Sequence, residues 1–142
     1  MMHPVVKQNW VKALRSGKYR QTDSVLRCED SYCVLGVLTD LAVKDNVCSW
    51  SYLPRDPDYV KGVMGVEIDY DVVESEALPN TVRLWAELDD PNPEVYLSEG
   101  PYTSLEEYPY KTYNGSHMST LSRLNDDEYS FETLANLIEE QL

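Results

Sequence analysis

The chain predicts an α+β domain in which three to four helices pack on a small, mainly antiparallel sheet. Apolar residues recur at helical spacing near both ends and again after Cys33. The middle, residues 45–117, replaces that period with alternation and turn residues. At 142 residues and 42% hydrophobic, the chain can bury one core but not two full-sized ones. Residues 1–142 are therefore read as one domain, its first, Cys33-led and last helices packed together on a sheet formed by the middle.

The first helix starts near Pro4, a residue suited to an opening turn, and directs Val6, Trp10, Ala13 and Leu14 to the core. Lys7, Lys12 and Arg15 fall elsewhere around it, and Ser16-Gly17 stops it with Gly17 as a left-handed cap. Residues 25–27 read as a short strand and 29–31 as a turn. From Cys33 to about Val43, apolar side chains cover most of the helix circumference, so this should be the most buried helix. Gly36 within it implies close approach of a neighbouring element. Residues 45–62, with Pro54 and Pro57, read as loop, and 63–73 as a strand. Pro79 leads into a helix carrying Val82, Trp85, Ala86 and Leu88; Glu94 opens a strand; residues 99–117 read as a long loop with strand character at 110–113. Residues 124–130 form a turn whose Asn and Asp side chains satisfy backbone groups, and Ser130 caps a last helix with Phe131, Leu134, Leu137, Ile138 and Leu142 as its stripe.

Charge narrows the function. The net charge of −13 argues against broad binding to DNA, RNA or anionic lipid. Yet residues 1–27 hold Lys7, Lys12, Arg15, Lys18, Arg20 and Arg27 against Asp23 alone, a balance of +5, and the other 115 residues sum to −18. Such a segment either pairs with the acidic body or offers a local site for a small anion. No apolar run reaches membrane-span length and no secretory h-region is present, so a soluble, intracellular protein is expected. Cys28, Cys33 and Cys48 are an odd set without zinc spacing, so free, buried or half-buried thiols are expected, with no metal or other cofactor.

Four constellations could carry chemistry. Cys33 opens a helix, where the dipole stabilises a thiolate, and His117 is the one distant imidazole; cysteine amidases and peptidases use such a pair, although Val34-Leu35 after Cys33 suits a core better. Glu67, Asp69 and Asp71, with Glu74 nearby, would put three carboxylates on one strand face, able to hold a divalent cation or merely solvated. The run Arg15-Ser16-Gly17-Lys18-Tyr19-Arg20-Gln21, with Arg27 beyond it, supplies cations, a stacking ring and an amide, the groups that recognise phosphates or nucleotides. It lacks the glycine spacing of a P-loop or Rossmann turn, so no enzymatic nucleotide motif is implied. The run Leu124-Asn125-Asp126-Asp127-Glu128-Tyr129-Ser130 reads first as a structural turn, and its three adjacent acids oppose anion binding at the next helix start.

Three segments taken together resemble a family of short, uncharacterised proteins encoded by tailed phages, cyanophages among them. They are residues 10–21 (WVKALRSGKYRQ), residues 32–41 (YCVLGVLTDL), and residues 124–142 with their Leu-Asn-Asp turn and Ser-Phe helix start. The likeness covers the ends, about half the chain, and departs from the pattern where Val34 replaces a second cysteine. It implies a phage accessory protein in the cytoplasm of the infected host. Such proteins commonly counter host defence, one class by sequestering nucleotide immune signals in pockets shaped by oligomerisation.

The leading expectation is thus a non-enzymatic binder of a small, nucleotide-like anion through Arg15, Lys18, Tyr19, Arg20, Gln21 and Arg27, with a homo-oligomer as one arrangement. An acidic module or nucleic-acid mimic binding a basic host protein is the second reading. A cysteine hydrolase using Cys33 and His117 is the third.

Overall fold

The computed structural model describes residues 1–52, 61–64, 77–98, 111–113 and 116–142. It has the α+β arrangement of a single small domain. Helix α1 (Pro4–Arg15) opens with Pro4 in its first turn, and His3 Nδ1 accepts from Val5 N–H at 3.2 Å. It buries Val6, Trp10, Val11 and Leu14. Ser16 caps its end and Gly17 follows at φ +74°, the left-handed conformation that lets the chain leave the helix.

Three two-residue strands then fold across the helix ends. They are β1 (Arg20–Gln21), β2 (Arg27–Cys28) and β3 (Ser31–Tyr32), in the order β1-β3-β2, with β1 parallel and β2 antiparallel to β3. Positive φ at Ser24 and Glu29 marks the turns between them. Helix α2 (Val34–Lys44) follows, capped by Cys33, whose sulfur accepts from Gly36 N–H at 3.3 Å. All seven residues from Val34 to Asp40 are buried, as the all-round apolar pattern predicts. Gly36 packs so closely on the backbone of Leu26 that an added Cβ would lie 1.7 Å from the Leu26 carbonyl oxygen.

The middle of the chain is divided among small sheets. Strand β4 (Ser49–Tyr52) pairs antiparallel with β5 (Lys61–Met64), so part of the expected 45–62 loop is strand. The local reason is the alternation of Trp50 and Tyr52 with serines, a strand period that the nearby prolines outweighed in the sequence reading. Helix α3 (Asn80–Trp85) buries Val82 and ends two residues before Glu87, which adopts φ +56° as Leu88 N–H bonds back to the Arg83 carbonyl. The third sheet is antiparallel throughout. Strand β8 (Ser116–Thr120) lies between β6 (Glu94–Ser98) and β7 (Lys111–Tyr113).

Strand β8 runs directly into α4 (Leu121–Asp126), which covers ground read from sequence as a turn. Leu121 and Leu124 are fully buried at helical spacing, and this burial extends the helix to Asp126. Asp127 and Glu128, the latter at φ +68°, make the turn instead, and Ser130 caps α5 (Phe131–Gln141) by accepting from Thr133 N–H. Helices α1, α2, α4 and α5 enclose the core, with α5 also packed on β6. Trp10 lies at its centre, fully buried, its indole N–H donating to the Val34 carbonyl at 3.0 Å. The expected strand at 63–73 is β5 as far as Met64; its remainder, including Glu67, Asp69, Asp71 and Glu74, lies outside the described residues.

Candidate functional site

Helix spacing gives α1 two exposed faces. Val5, Asn9, Lys12 and Ser16 recur at intervals of four, three and four and line one groove, whereas Lys7, Val11 and Arg15 line another against α5. The first groove, of about 650 Å3, is closed on its other sides by Lys18 and Tyr19 after the helix, by Leu41 and Lys44 on α2, and by Trp85 at the end of α3. The backbone bond from His3 N–H to the Ala86 carbonyl, 3.0 Å, pins α3 to the start of α1. Three lysines and two aromatic rings thus converge from three helices and a loop.

Both rings are fixed at their polar ends. The Tyr19 hydroxyl donates to Asp40 Oδ2 at 2.6 Å and accepts from Lys44 Nζ at 2.9 Å. Asp40 lies one turn before Lys44 on α2, with Nζ 3.4 Å from its Oδ2, and its other oxygen accepts from the Trp50 indole at 2.8 Å. Burial, then the hydrogen bond to the Asp40 carboxylate, holds the Tyr19 phenol above its ordinary pKa. The hydrogen bond to Tyr19 and the Asp40 charge likewise keep Lys44 protonated. The Trp85 indole donates to Asp45 Oδ2 at 3.0 Å. Lys12 and Lys18, which line the groove together with Asp45, form no ion pair among the described residues.

The sequence-predicted residues separate. Lys18 and Tyr19 belong to the groove. Arg15 does not: it bonds Glu139 at 2.8 Å and Asn136 at 2.6 Å, tying α1 to α5 on the other face of the helix. Arg20 is exposed on β1, outside the groove. Gln21 turns inward, its amide donating to Asn125 Oδ1 at 2.9 Å and to the Tyr129 carbonyl at 2.7 Å. Arg27 stacks over Tyr32 and Trp50 and donates through Nε to the Glu29 carbonyl. Sequence reasoning missed Asn9, Lys12, Lys44 and Trp85 as groove residues, although it counted Lys12 in the basic segment. Asn9 was recoverable from its spacing to Lys12, whereas Lys44 and Trp85 reach the groove only through tertiary packing.

Of the other constellations, Cys33 and Asn125 take structural positions. Cys33 is fully buried, its sulfur engaged by Gly36 N–H, so no ligand reaches a nucleophile there. The backbone of His117 sits in β8 opposite Leu97 and Thr112; its side chain lies outside the described residues. Asn125, 3% exposed, joins three segments: Oδ1 accepts from Val34 N–H and Gln21, and Nδ2 donates to the Thr22 carbonyl. Among the described residues no group of three or more His, Cys, Asp or Glu could hold a metal ion, and no helix is long and apolar enough to cross a membrane.

A family model described as a domain of unknown function (DUF8296) matches residues 2–142. No curated protein and no solved structure matches the chain.

Proposed function

Since the chain belongs to that family of unknown function over residues 2–142, the site must speak for itself, and we propose that it binds a small anionic ligand bearing a flat ring, a nucleotide being the best fit. One observation carries this reading: Lys12, Lys18 and Lys44 meet in one groove with Tyr19 and Trp85 as its fixed aromatic walls. Against Asp45 in the same lining and the Asp40 carboxylate paired with Lys44, the three ammonium groups still leave the groove a net positive charge in an otherwise acidic protein, which attracts phosphate. The helix C-termini beside it work against an anion, so the lysines must outweigh them. Rings already anchored by Asp40 and Asp45 lose little freedom when a base stacks on them. Asn9 and Ser16 add neutral hydrogen-bonding groups along the same face.

The reading is one of binding without turnover. In the phage setting suggested by residues 10–21, 32–41 and 124–142, its use would be to sequester a nucleotide immune signal in the infected host's cytoplasm. Isothermal titration against nucleoside monophosphates, cyclic dinucleotides and cyclic ADP-ribose isomers tests this. Micromolar or tighter binding of at least one, lost in the Lys12→Glu/Lys18→Glu double variant, is expected. No heat from any of them at micromolar protein would end the proposal.

A further inference from the structure

Arg27 lies outside the groove but is joined to it by stacked side chains. Lys44 Nζ sits 5.2 Å from the Tyr19 ring centre. The Tyr19 and Tyr32 centres are 5.0 Å apart at 87°, an edge-to-face contact. The Arg27 guanidinium carbon then lies 5.0 Å from the Tyr32 centre and 5.3 Å from that of Trp50. Cations and rings therefore form a ladder, Lys44–Tyr19–Tyr32–Arg27–Trp50, leading from the groove to the β2–β3 turn. Tyr19, Tyr32 and Trp50 are each half-buried, so the ladder keeps exposed edges.

The way Arg27 is held separates it from Arg15. Arg15 has two carboxylates within 4 Å, whereas Arg27 has no ion-pair partner among the described residues. Two ring faces and one carbonyl, accepting from Nε at 2.8 Å, orient its guanidinium. The described residues leave both terminal nitrogens without a hydrogen bond, and that planar fork matches the paired oxygens of a phosphate. The side chain is thus oriented yet not neutralised.

Resting on the groove reading above, we infer that the ligand carries two separated phosphates, as a dinucleotide does: one meets the lysines of the groove and the second meets Arg27. The intervening tyrosine edges supply the apolar contact for the part between them.

Titration of the full chain with adenosine monophosphate and with a linear 5′-phosphorylated diadenylate tests this, using wild type, Arg27→Met, Arg27→Lys and Lys18→Glu, each checked by thermal melting. The diadenylate should bind about tenfold or more tightly than the monophosphate, the gain expected of one charge-assisted contact. Arg27→Met should remove that advantage while leaving monophosphate affinity within about twofold. Arg27→Lys, which keeps charge and bulk but lacks the fork, should lose part of it, and this variant decides the matter if the methionine variant does not fold. Equal wild-type affinities, or an advantage that persists in a folded Arg27 variant, would overturn the inference. If both ligands bind, weaken with Lys18→Glu and ignore Arg27, the inference fails alone; if neither binds, the groove reading fails with it.

Discussion

Asn125→Ala removes one of the polar side chains that hold the first third of the chain to the last, and the most deeply buried of them. Its amide makes three hydrogen bonds, to Val34 N–H at 3.1 Å, Gln21 Nε2 at 2.9 Å and the Thr22 carbonyl at 2.7 Å. Val34 is the first residue of α2, so its N–H belongs to the donors that a helix cannot satisfy internally. Cys33 caps the helix through Gly36 N–H, leaving Val34 N–H to Asn125. Alanine strands that N–H and one carbonyl. At ~1–3 kcal/mol for each buried unsatisfied group, the loss should be on the order of 3–5 kcal/mol, a large share of the ~5–15 kcal/mol of a domain. Urea unfolding followed by tryptophan fluorescence measures it, and a slope of ~2 kcal/mol/M would place the midpoint about 2 M lower. Gln21→Ala, which removes two hydrogen bonds at an exposed residue, should cost less, about 1–2 kcal/mol. A loss below ~1 kcal/mol in Asn125→Ala would mean that water satisfies those groups and that the side chain is not the link described.

Gly36→Ala should destabilise by ~2–3 kcal/mol, since separating α2 from Leu26 outweighs the ~1 kcal/mol that alanine gains in a helix; equal or higher stability by the same urea assay would contradict the 1.7 Å approach. Iodoacetamide followed by mass spectrometry should modify exposed Cys28 first, then half-buried Cys48, whose thiol is pushed up by burial, and fully buried Cys33 last; early loss of Cys33 would reopen a nucleophilic role. Folded-state pKa values raised at Tyr19, Tyr32 and Lys44 keep protons that the unfolded chain gives up, so their stabilisation is intact below about pH 10 and declines as pH rises through the folded values. Melts between pH 8 and pH 11 should show that decline, reduced in Tyr19→Phe, and an unchanged slope in that variant would remove Tyr19 as a source.

The helical frame was legible because its signals are local. Gly17 after α1, Gly36 facing a neighbour and Ser130 before Phe131 state their roles within a few residues, and the structure places each as read. Strand β4 and helix α4 were not legible. Nearby prolines and acidic residues suggested loop and turn, whereas pairing with β5 and burial of Leu121 and Leu124 decided the outcome. Tertiary contacts of this kind override short-range composition.

For the candidate site the division falls within a single run of residues. Past Gly17 the chain reaches the short strand β1 at Arg20, and successive side chains in a strand point to opposite sides. Four adjacent ligand-like residues therefore cannot face one ligand. Lys18 and Tyr19 reach the groove, Arg20 is exposed on β1, and Gln21 turns to Asn125, 104 residues on. Arg15, still helical, is directed by its own spacing toward Glu139, 124 residues away. The remaining groove contacts come instead from helical periodicity, which aligns Asn9, Lys12 and Ser16, and from packing, which adds Lys44 and Trp85. The composition of the basic run was thus a better guide to ligand charge than its contiguity was to ligand contacts. A variant series confined to residues 15–21 would mix groove, surface and core effects, whereas Lys12, Lys18 and Lys44 vary the groove's charge from three separate elements.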